Sequence, residues 1–490
     1  MEFEIKALPL VFVLGICSCH APRPEIDCER AETLPSAYSV LPANAGARTF
    51  TNAWWTAFDS DELNRLMARA LAGNLTLARA GARLRQARAE ACKTTASRHV
   101  TLTVEADGGV SRRPRTGADA SGSETVQVYD IGLAASYEID LWGRMAAAVR
   151  RDRLAAVGSQ FDLEAAVMTV AAQVADRWIQ LIEARKQEAL LKRQIETNRE
   201  LLGLLKERLG RSSTRLLDVY QQEQAAIAGE AALPAMTQRV DLLRNEITGL
   251  VGVPTGTDLG LAQPFLPRLP AQPGAGIPAD LLRRRPDVRA ELHRLQAAGW
   301  DAVAARADRF PTLRITASAG TKADSVAALF DDWLANLAAG LVGPLLDGRR
   351  RRAEVDRLRA GADEQLASYR RIILDAVREV EDALLREQHL LAGLQARTRE
   401  LASARQVVTE AQRRYLAGAA DYLPVLTALR SSQQSERELL GIRREILANR
   451  VALCRALGGS WATQAADNAA RTSTADRLKS PEELPRRATP

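Results

Sequence analysis

Ile131-Gly-Leu-Ala-Ala-Ser-Tyr-Glu-Ile-Asp-Leu141 alternates without a fault. Ile131, Leu133, Ala135, Tyr137, Ile139 and Leu141 face one way, and Gly132, Ala134, Ser136, Glu138 and Asp140 face the other. A period of two over this length predicts a β-strand with one greasy and one polar side. Upstream, Val100, Leu102 and Val104 alternate with Thr101, Thr103 and Glu105. A Gly/Ser/Arg/Asp-rich loop over Gly108–Glu124 makes the two runs a hairpin. Further on, Leu313, Ile315 and Ala317 alternate with Thr312, Arg314 and Thr316, and Trp333, Leu337, Leu341 and Leu345 share a face after a shorter loop. These four strands read as about 7 to 13 residues each, near the length that crosses a bilayer as a tilted strand.

The second hairpin belongs to a duplication. Ala82-Arg-Leu-Arg-Gln-Ala87 aligns with His293-Arg-Leu-Gln-Ala-Ala298, and His99-Val-Thr-Leu-Thr-Val104 with Phe310-Pro-Thr-Leu-Arg-Ile315. Leu141-Trp-Gly-Arg144 resembles Leu346-Asp-Gly-Arg349, and Leu250-Val-Gly252 falls on Ala456-Leu-Gly458. Each copy reads as helix, strand pair, very long helix, turn, long helix, which describes a scaffold more readily than a catalytic pocket. Asn52–Ser97 reads as one helix with Leu63, Leu66, Met67 and Ala70 on its apolar face. No proline interrupts Arg144–Gly210 or Arg349–Gly418, and Ile373, Val377, Val380 and Leu384 step by helical spacings. Such a stretch makes a rod of about 100 Å, which needs lateral partners to bury its stripe. The rods turn at Gly210–Arg215 and Gly418–Asp421, Pro234 is expected to break the first returning helix, and a Pro-rich linker over Pro264–Pro278 joins the copies.

Composition agrees with long helices: 46% apolar and 26% charged residues, with only 4% aromatic. The net charge of +7 comes with 60 Arg against 7 Lys, spread among Glu and Asp, which reads as solvated helix faces; no nucleic-acid partner is expected. Ala7–Ile16 is a ten-residue apolar run of signal-peptide type, ending in Ile16-Cys17-Ser18-Cys19. A small residue before cysteine resembles a bacterial lipoprotein processing site, which implies acylation of Cys19 (alternative Cys17). The opening Met1–Lys6 carries two acids and one base, a departure from the usual positive start. Cys28, Cys92 and Cys454 have no metal-ligand spacing, and no other apolar run is long enough for a transmembrane helix. The four histidines (His20, His99, His293, His389) are scattered, and no phosphate-binding, zinc-protease or nucleophile-elbow motif occurs, so no enzyme and no cofactor beyond the covalent lipid are expected.

Four strands cannot close around an open lumen, since about eight enclose only a filled interior. In a membrane a sheet must close, so the chain is expected to borrow strands from copies of itself. Three copies give twelve strands and gather twelve long helices.

Particular residues then match a family. Trp54-Trp55 with Asp61-Glu62-Leu63, Asn74, Leu281-Leu-Arg-Arg-Arg-Pro-Asp-Val-Arg-Ala-Glu291, Arg309-Phe-Pro-Thr-Leu313, Leu346-Asp-Gly-Arg349, Arg414-Tyr-Leu-Ala-Gly418 and Ala456-Leu-Gly-Gly-Ser-Trp461 cover roughly residues 50 to 461. The chain resembles the TolC-like bacterial outer-membrane efflux proteins, most closely the lipidated OprM/NodT branch. The resemblance implies a mainly α fold with a small membrane β-barrel: a homotrimer whose twelve-stranded barrel continues into a twelve-helix periplasmic tunnel. It implies an exit duct of a tripartite efflux pump, served by a periplasmic adaptor and an inner-membrane transporter of the RND class. On this scheme 1–18 is the lipoprotein signal and 19–50 an extended segment. Residues 51–97, 144–309 and 349–460 form the periplasmic helical barrel, 98–143 and 310–348 the transmembrane hairpins, and 461–490 a disordered tail.

The resemblance also places a gate at the two helical tips, here Leu209–Gln221 and Tyr415–Thr427. Relatives carry Gly in both turns; Gly418 keeps it, while Ser212 replaces it in the first. Leu423 falls on a constricting Leu. Thr427 stands where relatives place an Asp and Pro424 at a second acidic position, leaving Asp421 and Asp218 as the nearest carboxylates. Leu217 and Tyr415 complete the tip set. Leu423 also reads as ordinary interhelical packing, and Asp218 as charge complementarity at a helix N-terminus. The rival function is a lipidated periplasmic adaptor or structural coiled coil, which leaves the four alternating strands unexplained.

Overall fold

A computed structural model describes residues 34–39, 53–114, 123–211 and 213–458. The signal segment with Cys17 and Cys19, most of residues 19–50, Ser212 and the 461–490 tail lie outside the described residues. The chain divides into two compact units, the first holding residues 87–156 and 293–366, the second residues 29–86, 157–292 and 367–490.

The first unit is built on one antiparallel sheet ordered β1-β2-β3-β4: β1 Thr101–Pro114, β2 Ser123–Ile139, β3 Thr312–Ala323 and β4 Leu334–Val342. β1 and β2 have 14 and 17 residues, longer than the alternation suggested, because Gly108–Pro114, the first part of the expected Gly108–Glu124 loop, pairs with Ser123–Tyr129 as ladder. Glycine and charge in that stretch masked a pairing in which each strand satisfies the other's backbone. At the other hairpin, Trp333 and Leu345 fall just outside β4. Leu141 lies past the end of β2, where Asp140 turns the chain into the next helix: its carboxylate accepts from Met145 N (3.2 Å) and Ala146 N (2.7 Å). Asp347 does the same before the second long helix, accepting from Arg351 N at 3.2 Å, beside left-handed Gly348 and Arg349.

In the second unit a 3-10 turn (Trp54–Phe58) precedes α1 (Asp61–Gly73). Ser60 Oγ caps α1 by accepting from Leu63 N, and Leu63, Leu66, Met67 and Ala70 are buried as the spacing required. The single helix expected over 52–97 is broken at Asn74. Its side chain caps α2 (Leu75–Ala96), accepting from Thr76 N (2.8 Å) and Leu77 N (3.1 Å), and its amide donates to Leu250 O at 2.7 Å. A Cβ on Gly252, at φ +81, would lie 2.1 Å from Gly73 O, so this junction needs glycine.

Two helices of 67 residues follow the hairpins: α3 Arg144–Gly210 and α7 Arg350–Leu416. α4 (Leu216–Val251) and α8 (Leu423–Ala456) come after their turns. Short α5 (Leu281–Arg284) and α6 (Pro286–Ala307) precede the second hairpin. α4 continues unbroken through Pro234, against expectation. A proline removes one helical hydrogen bond, and here the helix is held on both sides, by Val219 and Ala225 in one core and by Val240, Leu243, Ile247 and Val251 in another. The main core gathers Trp178, Ile179, Leu181 and Ile182 of α3 with these α4 residues and Leu447 and Val451 of α8. A second joins Leu281, Val288, Val380, Leu384 and Leu453, with Ile373 and Val377 packed against it.

Cys454 is buried in the main core, and burial pushes its thiol up to about 12; Cys92 is exposed. Iodoacetamide is therefore expected to label Cys92 in the folded protein and spare Cys454 until denaturant is added, read by peptide mass mapping. Equal labelling of both would mean that the α8 core opens readily.

Candidate functional site

Two features stand out, one in each unit. The sheet register brings most of its large apolar residues to one face. Leu102 sits opposite Ala135, Val104 opposite Leu133 and Ala106 opposite Ile131. The row continues with Leu133 beside Ala319, Ala135 beside Ala317 and Tyr137 beside Ile315. It ends with Ala317 beside Leu337 and Leu313 beside Leu341. The other face carries Thr103, Glu105, Ser136, Glu138, Arg314, Thr316 and Ser318, with Glu138 paired to Arg144 (2.5 Å) and near Arg314 (3.8 Å). On the apolar face Leu102, Val104, Leu133, Leu337 and Leu341 remain exposed in the single chain. At the strand ends Trp142 stacks on Phe310 at 4.7 Å and donates to Pro311 O at 2.7 Å, while Phe330 and Trp333 stand exposed at the opposite turn. Apolar strands bounded by aromatics are the signature of a bilayer-facing sheet. No described helix is long and apolar enough to cross a membrane.

The second feature is the pair of helix turns, α3–α4 and α7–α8, which share a small core of Leu205, Val219, Ala225, Tyr422, Val425 and Leu426. Above it runs a polar clasp. Thr214 Oγ1 donates to Asp218 Oδ2 (3.0 Å), so Tyr415 Oη is left to donate to Thr214 Oγ1 (2.8 Å). Tyr415 packs edge-on against Tyr422 at 5.3 Å, and the Arg208 guanidinium lies 5.2 Å from its ring. Tyr422 Oη donates to the buried Gln222 at 2.8 Å, and Gln222 donates on to Asn198 O at 2.9 Å. Burial raises the Tyr422 phenol above its ordinary value, so it stays a neutral donor.

The sequence-selected tip residues divide. Asp218 is buried and also accepts from Arg215 N at 3.2 Å, turned into its own helix start. Asp421 is exposed and pairs with Arg215 at 3.3 Å, so its charge is partly offset. Leu423 and Leu217 are exposed, Gly418 takes φ +71 to reverse the chain, and Thr427 Oγ1 donates to Leu423 O at 2.9 Å. Sequence reasoning missed Tyr422, Gln222, Thr214 and Arg215; the seven-residue step from Tyr415 to Tyr422 across Gly418 was the available signal.

Amphipathic strands joined to 67-residue helices define an outer-membrane channel subunit. The chain belongs to the outer membrane efflux protein family, whose model matches residues 66–253 and 277–459. It is 31% identical to the pyoverdine export outer membrane protein OpmQ of Pseudomonas aeruginosa over 468 residues, covering 94% of this chain and 98% of that one. It is 29% identical to the outer membrane protein OprJ of the same species, covering 94% and 96%. Among solved structures it is similar to the outer-membrane channel OprN, with a TM-score of 0.82 at 27% identity over 90% of this chain and 99% of that one. Its function is that of an outer-membrane efflux channel, and its family is one of transport proteins, not enzymes.

Proposed function

We propose that three copies of the chain join edge to edge into a twelve-stranded barrel, continued by a twelve-helix tunnel, and act as the passive exit duct of a tripartite efflux pump. One observation carries this reading: a four-stranded sheet, largely apolar on one face, with both outer edges unpaired among the described residues. Such edges are excluded from hydrocarbon, so sister subunits must complete the ring. A periplasmic adaptor would dock at the helical tip and an inner-membrane transporter of the RND class would supply the energy. Acylation of Cys19, or of Cys17, would add an anchor in the outer membrane. Extraction in detergent tests the assembly: a heat-modifiable trimer that conducts in planar bilayers is expected, and a non-conducting monomer would refute it.

The clasp at the tip gives this duct a closed resting state. Arg215→Ala is expected to free the Asp421 charge and raise cation selectivity in single-channel recordings, and Asp421→Ala to lower it. Leu423→Ala is expected to raise conductance. Conductance and selectivity unchanged in Asp421→Ala and Leu423→Ala together would remove both residues from the gate.

A further inference from the structure

A second site lies away from the tip, in the groove where α3 meets α7 and α8 beside residues 262–264. The groove encloses about 750 Å³, within the range that holds small ligands. Its walls carry Arg185, Lys186 and Arg193 of α3, Arg405 of α7 and Arg443 of α8, against a single acid, Glu436. Glu436 is already engaged, by Arg405 at 2.7 Å and by Gln194 at 3.4 Å. Lys186 sits over the Phe265 ring at 4.1 Å. Arg185, Arg193 and Arg443 make no ion pair among the described residues, and the buried Arg185 Nε has no acceptor. The acids nearest Arg185 make their hydrogen bonds elsewhere: Glu62 accepts from Trp178, Ala262 and Gln263, and Glu188 from Lys192 and Thr237. Buried Leu401, Leu429 and Leu439 form an apolar floor.

We propose that this groove binds a small organic anion with two or more carboxylate or phosphate groups, one seated on Arg185 and the others reaching Arg193 and Arg443. A buried guanidinium nitrogen without an acceptor is costly, and a forked donor matches carboxylate and phosphate oxygens two at a time. Burial, with Arg244 nearby, pushes the Arg185 guanidinium below its ordinary value, although the Glu62 and Glu188 carboxylates pull the other way. Every residue lining the groove belongs to one chain.

Calorimetric titration of the full-length protein in an uncharged detergent tests this, with citrate and, separately, fructose 1,6-bisphosphate at fixed ionic strength. One saturable site per chain is expected for at least one of the two, and whichever binds names the favoured group. Arg185→Gln and Arg443→Gln are each expected to weaken it at least about tenfold. Arg211→Gln, an exposed turn residue paired with Glu207, should leave it unchanged. Arg443 lies on the groove's rim, so its variant keeps the test open if Arg185→Gln does not fold. No saturable heat with either anion overturns the proposal, as does binding that survives both groove substitutions.

Discussion

Leu133→Arg is expected to abolish insertion of the protein into the outer membrane. Leu133 is central to the apolar face, with Val104 on one side and Ala319 on the other. An arginine facing lipid near the midplane costs about 2–4 kcal/mol per site, and a trimer would carry it three times. Ser318→Arg, on the opposite face beside Ala134, places the same charge in the same sheet and is expected to be tolerated. Outer-membrane fractionation and heat-modifiability on gels read both. If Ser318→Arg is excluded and Leu133→Arg inserts, the faces are assigned backwards.

Arg450→Ala is expected to destabilise the helical unit by about 3–5 kcal/mol. Arg450 on α8 and Glu387 on α7 are 3% and 5% exposed, and they meet as a two-pronged pair at 2.5 and 3.2 Å. Arg450 also donates to the carbonyl of Pro270. Removing the cation leaves Glu387 buried without compensation, which is why the loss is large. Replacing both residues, Arg450→Met with Glu387→Leu, removes the stranded charge and is expected to recover most of the stability. Denaturant titration of the detergent-solubilised protein measures the difference. A single variant as stable as the double would show that water reaches the pair.

The strands were legible because alternation is a local signal, and the register needs only the pleat to carry it across four strands. α1 was legible for the same reason, through Leu63, Leu66, Met67 and Ala70. The break at Asn74 was not: its cap on α2 is local, through Thr76 N and Leu77 N, but its amide is anchored on Leu250 O, 176 residues away. The motif around Arg285 stood out in the sequence, but its work appears only in three dimensions. Buried Arg285 ties Asp287 (2.6 Å) to Glu379 (2.8 Å) and to the Ala456 carbonyl, joining α6, α7 and α8. The tip clasp was hidden similarly, since Thr214 and Tyr415 are 201 residues apart, and Asp421 gave no sign of its pairing with Arg215. The cationic groove drew no notice because Arg is common throughout the chain.

The unequal strands have one last consequence. β1 has 14 residues and β4 only nine, so in a closed ring five residues of β1 outlast any neighbouring β4. β2 likewise runs past its last partner in β3, which is Ala323 opposite Tyr129. What remains pairs only with itself, as a narrow finger holding Gly109–Pro114 and Ser123–Val128. In the proposed trimer three such fingers would crown the cell surface, and they would be the first part of the molecule that an antibody, a phage or an external protease would meet.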